Sequence, residues 1–181
     1  MITNIQKKHY QFVKRYQWLG ILVVSLLSIP LHFAYEWTGK NFVVGLFTPI
    51  NESIWEHLNL VFWPILIWWG IGYIIFRKKK QLSFEKWLPA AATSTFASMI
   101  FIVAWYYIWA FALNIESSFT NLASLFIAVP ISQLIGIHLY KVIKPRTIYV
   151  ILSSLFIILA GGAFIWFTIN TPVLPIFIPP N

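Results

Sequence analysis

Five apolar stretches, each long enough to cross a hydrocarbon core, dominate this sequence and restrict what it can fold into. A core about 30 Å thick takes roughly 20 helical residues, and the stretches fall at about 17–36, 54–76, 88–113, 119–142 and 147–169. Polar or helix-breaking residues separate them: Thr38 to Asn41, Arg77 to Gln81, Asn114 to Ser118, and Lys144 to Arg146. Lipid cannot satisfy backbone N–H and C=O groups, so stretches of this kind must be helical. The expectation is an all-α fold, a polytopic transmembrane helix bundle of five spans, with residues 1–181 as a single membrane domain. Composition argues against a soluble domain: 10% of residues are charged and 59% apolar, against about 25% and 45–50% in soluble proteins. The first span passes Pro30 without a small-x-small site and ends in Tyr35, Glu36 and Trp37. It is therefore expected to remain attached and not to be removed as a signal peptide.

Basic residues set the expected orientation, because Lys and Arg beside short loops are retained in the cytoplasm. With the N-terminus inside and the C-terminus outside, Lys7, Lys8, Lys14, Arg15, Arg77, Lys78, Lys79, Lys80, Lys86, Lys141, Lys144 and Arg146 lie at the cytoplasmic face, and Lys40 alone lies outside. The net charge of +8 then reflects topology and contact with anionic lipids of the cell membrane, and nucleic acid is set aside as a partner. Residues 1–16 place Ile5, His9, Phe12, Val13 and Tyr16 on one helical stripe, which suits either an interfacial helix or a partly ordered basic tail. Residues 170–181 carry four prolines and no charged side chain, so this tail is expected on the outer face. The loop before the second span holds FVVGLF between polar ends and should fold back onto the membrane surface.

Polar residues in a span are costly and therefore informative. Ser25, Ser28, His32 and Glu36 form one stripe rising to the outer end of the first span. The second span opens on Asn51, Glu52, Ser53, Ile54, Trp55, Glu56 and His57, with Glu52, Glu56 and Asn59 on one helical face and His57 turned about 100° from Glu56. In antiparallel neighbours, His32 and His57 fall at one depth near the outer boundary. Cysteine and aspartate are both missing from the chain, so imidazole and Glu carboxylate are the ligands on hand, a set suited to zinc, manganese or iron. A structural role competes with this one. Ser53-x-x-Glu56 matches a capping box, and Glu36 with Trp37 matches an interface anchor. Gln133, Tyr106, Tyr107 and His138 are further candidates for the same cavity, although His138 lies toward the cytoplasmic end. Ser94 with Ser98 and Gly161 with Gly162 suit close helix packing, and Trp63, Trp68 and Trp69 suit packing or lipid contact.

The two segments HFAYEWTGKN and TPINESIWEHLNLVFWP resemble a family of small bacterial polytopic membrane proteins classed as a domain of unknown function. The pattern HFxYEWxG, then NESxWEH, is matched at His32, Phe33, Tyr35, Glu36, Trp37, Gly39, Asn51, Glu52, Ser53, Trp55, Glu56 and His57. It departs at Asn59, where the family pattern has Lys. The resemblance carries no established activity and selects the same two helix ends as the depth argument.

The leading expectation is an outward-facing His/Glu site that binds a divalent metal, with His32, Glu36, Glu56 and His57 as candidate ligands. As an enzyme, it would use Glu52 and Glu56 as catalytic carboxylates on a lipid or other amphipathic substrate delivered sideways through the bilayer. Tyr35, Trp37, Asn51, Trp55, Asn59 and Gln133 are the candidate substrate contacts. The alternatives are a proton- or cation-coupled transporter or small-ligand binding subunit using the same cluster, and a haem or quinone site on the two histidines.

Overall fold

The computed structural model describes residues 4–115 and 118–179; Glu116, the side chain of Ile5 and the last two residues of the Pro-rich tail lie outside the described residues. Helix α1 spans Asn4–Trp37, the short α2 Phe42–Gly45, α3 Ile54–Lys80, α4 Phe84–Tyr106, α5 Ser118–Val142 and α6 Thr147–Ile169. Helix α4 runs directly into a π-helical stretch, Tyr107–Ala112, and a single 3₁₀ turn, Pro175–Phe177, lies near the C-terminus. No strand occurs among the described residues. Five helices, all but α2, are long and apolar enough to cross a membrane.

The outer surface of the bundle is apolar. On α6, Leu155, Ile158 and Leu159 are half or more exposed, as are Leu19, Leu22 and Leu26 on α1. A water-soluble chain rarely presents such a surface, whereas lipid tails suit it. In lipid, where the usual hydrophobic drive between helices is lost, association relies on close packing and interhelical hydrogen bonds. The core centres on α3 and α4: Trp69 and Trp87 meet edge to face at 5.0 Å, and the Trp87 indole N–H donates to the Trp69 carbonyl at 2.9 Å.

Residues 4–16 do not form a separate interfacial helix but continue α1 without a break. Their apolar stripe turns inward: Val13 is fully buried, Phe12 meets Phe76 at 4.9 Å, and Tyr16 stacks on Trp68 at 4.4 Å. The Tyr16 hydroxyl donates to the Trp68 carbonyl at 2.8 Å. Two glycines make the approach possible, and they do so reciprocally. A Cβ at Gly72 of α3 would strike the Tyr16 ring, and a Cβ at Gly20 of α1 would strike the Trp68 indole. Each aromatic side chain thus fills the notch left by a glycine on the facing helix.

The basic residues beside the α3–α4 and α5–α6 connections lie at the same end of the bundle as the start of α1, with Lys80 over the Phe12 ring and Lys141 over the Tyr10 ring. The opposite end is closed by the segment between α1 and α3. Asn41 caps α2, accepting from Val43 and Val44 N–H, and Phe47 packs on Trp63 at 5.0 Å, while Phe42 and Val43 of this segment stay exposed. The tail covers the same end, with Phe177 packed against Trp55 at 4.8 Å and Phe167 at 5.3 Å.

Candidate metal centre

Helix α3 begins at Ile54, with Ser53 as an extended N-cap whose hydroxyl accepts from the Glu56 N–H at 3.4 Å. Asn51 precedes it in a turn, its side-chain oxygen accepting from the Ser53 N–H at 2.8 Å. Glu52 therefore lies outside the helix, and its direction is set by this turn and not by helical periodicity. Its carboxylate points back toward α1, with one oxygen 3.5 Å from His32 Nε2 and 3.5 Å from His57 Nε2. The three side chains present one ligand atom each, all within 4.8 Å of one another. Ligands about 2.0–2.1 Å from a tetrahedral zinc lie roughly 3.4 Å apart, so the two carboxylate–imidazole distances suit a shared ion, while the widest separation in the group, up to 4.8 Å, would have to contract on binding.

The hydrogen bond on the far side of the His57 ring fixes its chemistry. His57 Nδ1 lies 2.9 Å from the Ser53 carbonyl oxygen, which only accepts, so Nδ1 carries the proton and donates it. In the neutral ring, Nε2 is then a bare lone pair aimed at a carboxylate oxygen. A proton or a metal ion between two acceptors at this distance would turn the contact into an attractive one. A carbonyl-anchored histidine is also the usual outer support of a metal ligand. His32 Nδ1 is buried and finds no partner among the described residues, so this ring is the less constrained of the pair. Burial is graded: the His57 side chain is 7% exposed, that of His32 17% and that of Glu52 60%, so the cluster is reached from outside past Glu52.

A narrow cleft adjoins the cluster, lined by Glu52 and His57 together with Ile54, Ile102, Trp105, Tyr106 and Ser124. Its free space is about 10 Å³, about that needed by one water molecule. The Trp105 indole holds the far wall by donating to the Thr120 carbonyl at 3.0 Å, just before α4 widens into its π-helical stretch.

Of the residues that sequence reasoning proposed, the structure brings together His32, Glu52 and His57. Glu36 is turned away, exposed and 3.7 Å from Lys40. Glu56 is 2% exposed and structurally engaged, accepting from the Ile50 N–H at 3.3 Å and from Asn59 Nδ2 at 3.2 Å, which ties the α1–α3 segment to the first turn of α3. Asn59 is fully buried and also accepts from the Trp63 indole at 3.1 Å. Among the candidate substrate contacts, Asn51 serves the turn, Tyr35 packs beside Gly45, Trp37 is exposed against Phe33, and Trp55 packs on Phe164 and Phe177. Gln133 accepts from the Trp69 indole at 2.9 Å and lies nine residues beyond Ser124 on α5, about 13 Å deeper. Tyr106 lines the cleft; Tyr107 and His138 do not. His138 instead borders a separate, mainly apolar groove with Thr93, Ile131 and Leu134. Ile102, Trp105 and Ser124 were missed by sequence reasoning, since nothing distinguishes them from other residues of an apolar span.

Five helices long and apolar enough to span a membrane, with two histidines and a glutamate gathered at one end, fit a multi-pass membrane protein that carries a candidate metal centre. The chain belongs to DUF6512, a family of unknown function, whose sequence profile matches residues 5–179. No curated protein and no solved structure matches it.

Proposed function

We propose that this protein is a divalent-metal-binding integral membrane protein of the cell membrane, N-terminus inside and C-terminus outside, whose ion is held by His32, Glu52 and His57 at the outer end of the bundle. The observation that carries the reading is the His57 ring: with Nδ1 committed to the Ser53 carbonyl, its Nε2 lone pair meets the Glu52 carboxylate at 3.5 Å. Two imidazoles and one carboxylate favour zinc or ferrous iron over manganese, which prefers oxygen. Three protein ligands leave a coordination position open, the pattern of catalytic rather than structural sites. The adjoining cleft supplies room for one water, and a metal-bound water at that point is the reactive group we assign to the site. Apolar walls from Ile54 and Ile102 suit an amphipathic substrate arriving from the lipid, so the reaction class is metal-assisted hydrolysis of a lipid-like compound. The inner route that a transporter needs is not favoured: the Ser28 hydroxyl is taken up by the Val24 and Leu60 carbonyls and the Gln133 amide oxygen by the Trp69 indole.

The test is elemental analysis of the purified full chain, followed by calorimetric titration of the metal-stripped protein with zinc and with ferrous iron. One equivalent of metal is expected, lost in His32→Ala and His57→Ala and retained in His138→Ala. Well-folded protein that binds neither metal would end this reading.

A further inference from the structure

The end of the bundle opposite the histidines holds a cavity of about 810 Å³, well within the range of small-ligand sites. Three separate segments build it: the first turns of α1, the α3–α4 connection, and the end of α5 with the turn that follows. Lys7, Lys86, Lys141 and Lys144 line it, with His9 and Ser83 between them, and among the described residues no carboxylate does so. Two of the ammonium groups are positioned by aromatic rings of the same wall. Lys86 Nζ lies 5.4 Å from the centre of the Tyr140 ring, and Lys141 Nζ lies 5.4 Å from that of Tyr10, contacts that orient a cation without neutralising it. Helix α4 also starts at this end, from Ser83, whose side chain makes no capping hydrogen bond, so the positive end of its dipole lies near the cavity, offset in part by Glu85 of its first turn.

Orientation in a membrane requires basic residues beside the loops but does not require them to converge on one cavity. Four like charges brought together without a carboxylate repel each other, and an anion between them removes that cost. We propose that this cavity binds a phosphate group, carried either by the headgroup of an anionic phospholipid or by a free phosphate compound. Phosphate fits the donor set: lysine acts on it as a point charge, and the Ser83 hydroxyl can donate to one of its oxygens.

The test uses the full chain purified in neutral detergent and titrated separately with short-chain phosphatidylglycerol, short-chain phosphatidylcholine and inorganic phosphate, with binding followed by phosphorus NMR. The wild-type chain should bind phosphatidylglycerol well above phosphatidylcholine. Each lysine beside an anion is worth about fivefold in affinity, so the pair Lys86→Gln with Lys141→Gln should weaken binding roughly 30-fold. The pair Lys78→Gln with Lys79→Gln removes equal charge at the same end but outside the cavity, and should cost less than about threefold. Should the first pair fail to fold, Lys7→Gln with Lys144→Gln, both exposed, replaces it under the same expectation. Binding of inorganic phosphate with the same variant pattern identifies free phosphate as sufficient; binding of phosphatidylglycerol alone identifies the lipid headgroup. Equal losses in cavity and control variants, or no preference for the anionic probes over phosphatidylcholine, would overturn the proposal.

Discussion

The imidazoles of His32 and His57 meet edge to face, their ring centres 5.3 Å apart and their planes at 63°, across two helices that run in opposite directions. Such a contact contributes only about 0.5–1.5 kcal/mol beyond burial. The rings share Glu52 as a common partner, and that shared carboxylate gives the pair its chemical direction.

Glu52 should therefore outrank the other carboxylates in metal binding. Glu52→Gln keeps the side-chain shape and removes the charge, and is expected to weaken metal affinity by more than the 10–100-fold typical of losing an outer partner. Glu36→Gln should leave affinity unchanged. Calorimetric titration of both variants decides it, and equal effects would remove Glu52 from the ligand set.

Protons would compete with the proposed ion for the imidazole lone pairs that ligate it. The sign follows directly: lowering pH fills those lone pairs and must weaken binding, and binding in acid must expel protons. Affinity at about pH 6 is expected below that at about pH 8, with proton release visible as a binding heat that changes with buffer ionisation enthalpy at the lower pH. Affinity that stays flat over this range would contradict imidazole ligation.

Overpacking the glycine notches tests the α1–α3 interface. Gly72→Leu and Gly20→Leu push into Tyr16 and Trp68 and should cost about 1–3 kcal/mol each, read as a lower thermal unfolding midpoint in detergent. Gly162 has open space around it, so Gly162→Ala is expected to be neutral or to raise the midpoint, because alanine holds a helix better than glycine by about 1 kcal/mol.

Asn59 links two groups that would otherwise be left with unmet hydrogen bonds. Asn59→Leu strands the Trp63 indole N–H and takes one donor from Glu56, at about 1–3 kcal/mol per orphaned group. Stability should fall while metal stoichiometry in the folded fraction is kept, the reverse of the pattern expected for Glu52→Gln. Combined thermal unfolding and metal analysis separates the two.

Orientation is open to direct measurement. Reporter fusions after residues 80, 116, 145 and 181 are expected to read inside, outside, inside and outside, as the distribution of lysine and arginine requires. An inside reading at residue 181 would rule out five spans.

Helix number and the meeting of His32 with His57 were legible in the sequence because both follow from long apolar runs and a constant rise per residue. The choice among carboxylates was not. Helical spacing puts Glu52, Glu56 and Asn59 on one face, but Ser53 is the N-cap, and Glu52 stands before it in a turn where that periodicity does not apply. Glu56, inside the helix, obeys the periodicity and is thereby aimed at Asn59 and the Ile50 N–H. The inward turn of Phe12, Val13 and Tyr16 was likewise hidden, since an apolar stripe looks the same whether it faces lipid headgroups or a neighbouring helix. Gly20 and Gly72 reveal which, but only once the two helices are side by side.

Those two glycines act at a distance. His32 lies sixteen residues along α1 from Tyr16, about 24 Å, and His57 lies fifteen residues along α3 from Gly72, about 22 Å. Because the helices are antiparallel, Tyr16 seated at Gly72 works as a fixed zero from which both histidines are measured to almost the same height. A slip of one turn, about 5.4 Å, would leave every helix intact and yet separate the imidazoles by more than a shared ion can span. An aromatic ring in a notch near the other end of the bundle, together with the Ser28 hydroxyl on the Leu60 carbonyl at 3.0 Å, thus holds the register that the proposed ligand set requires.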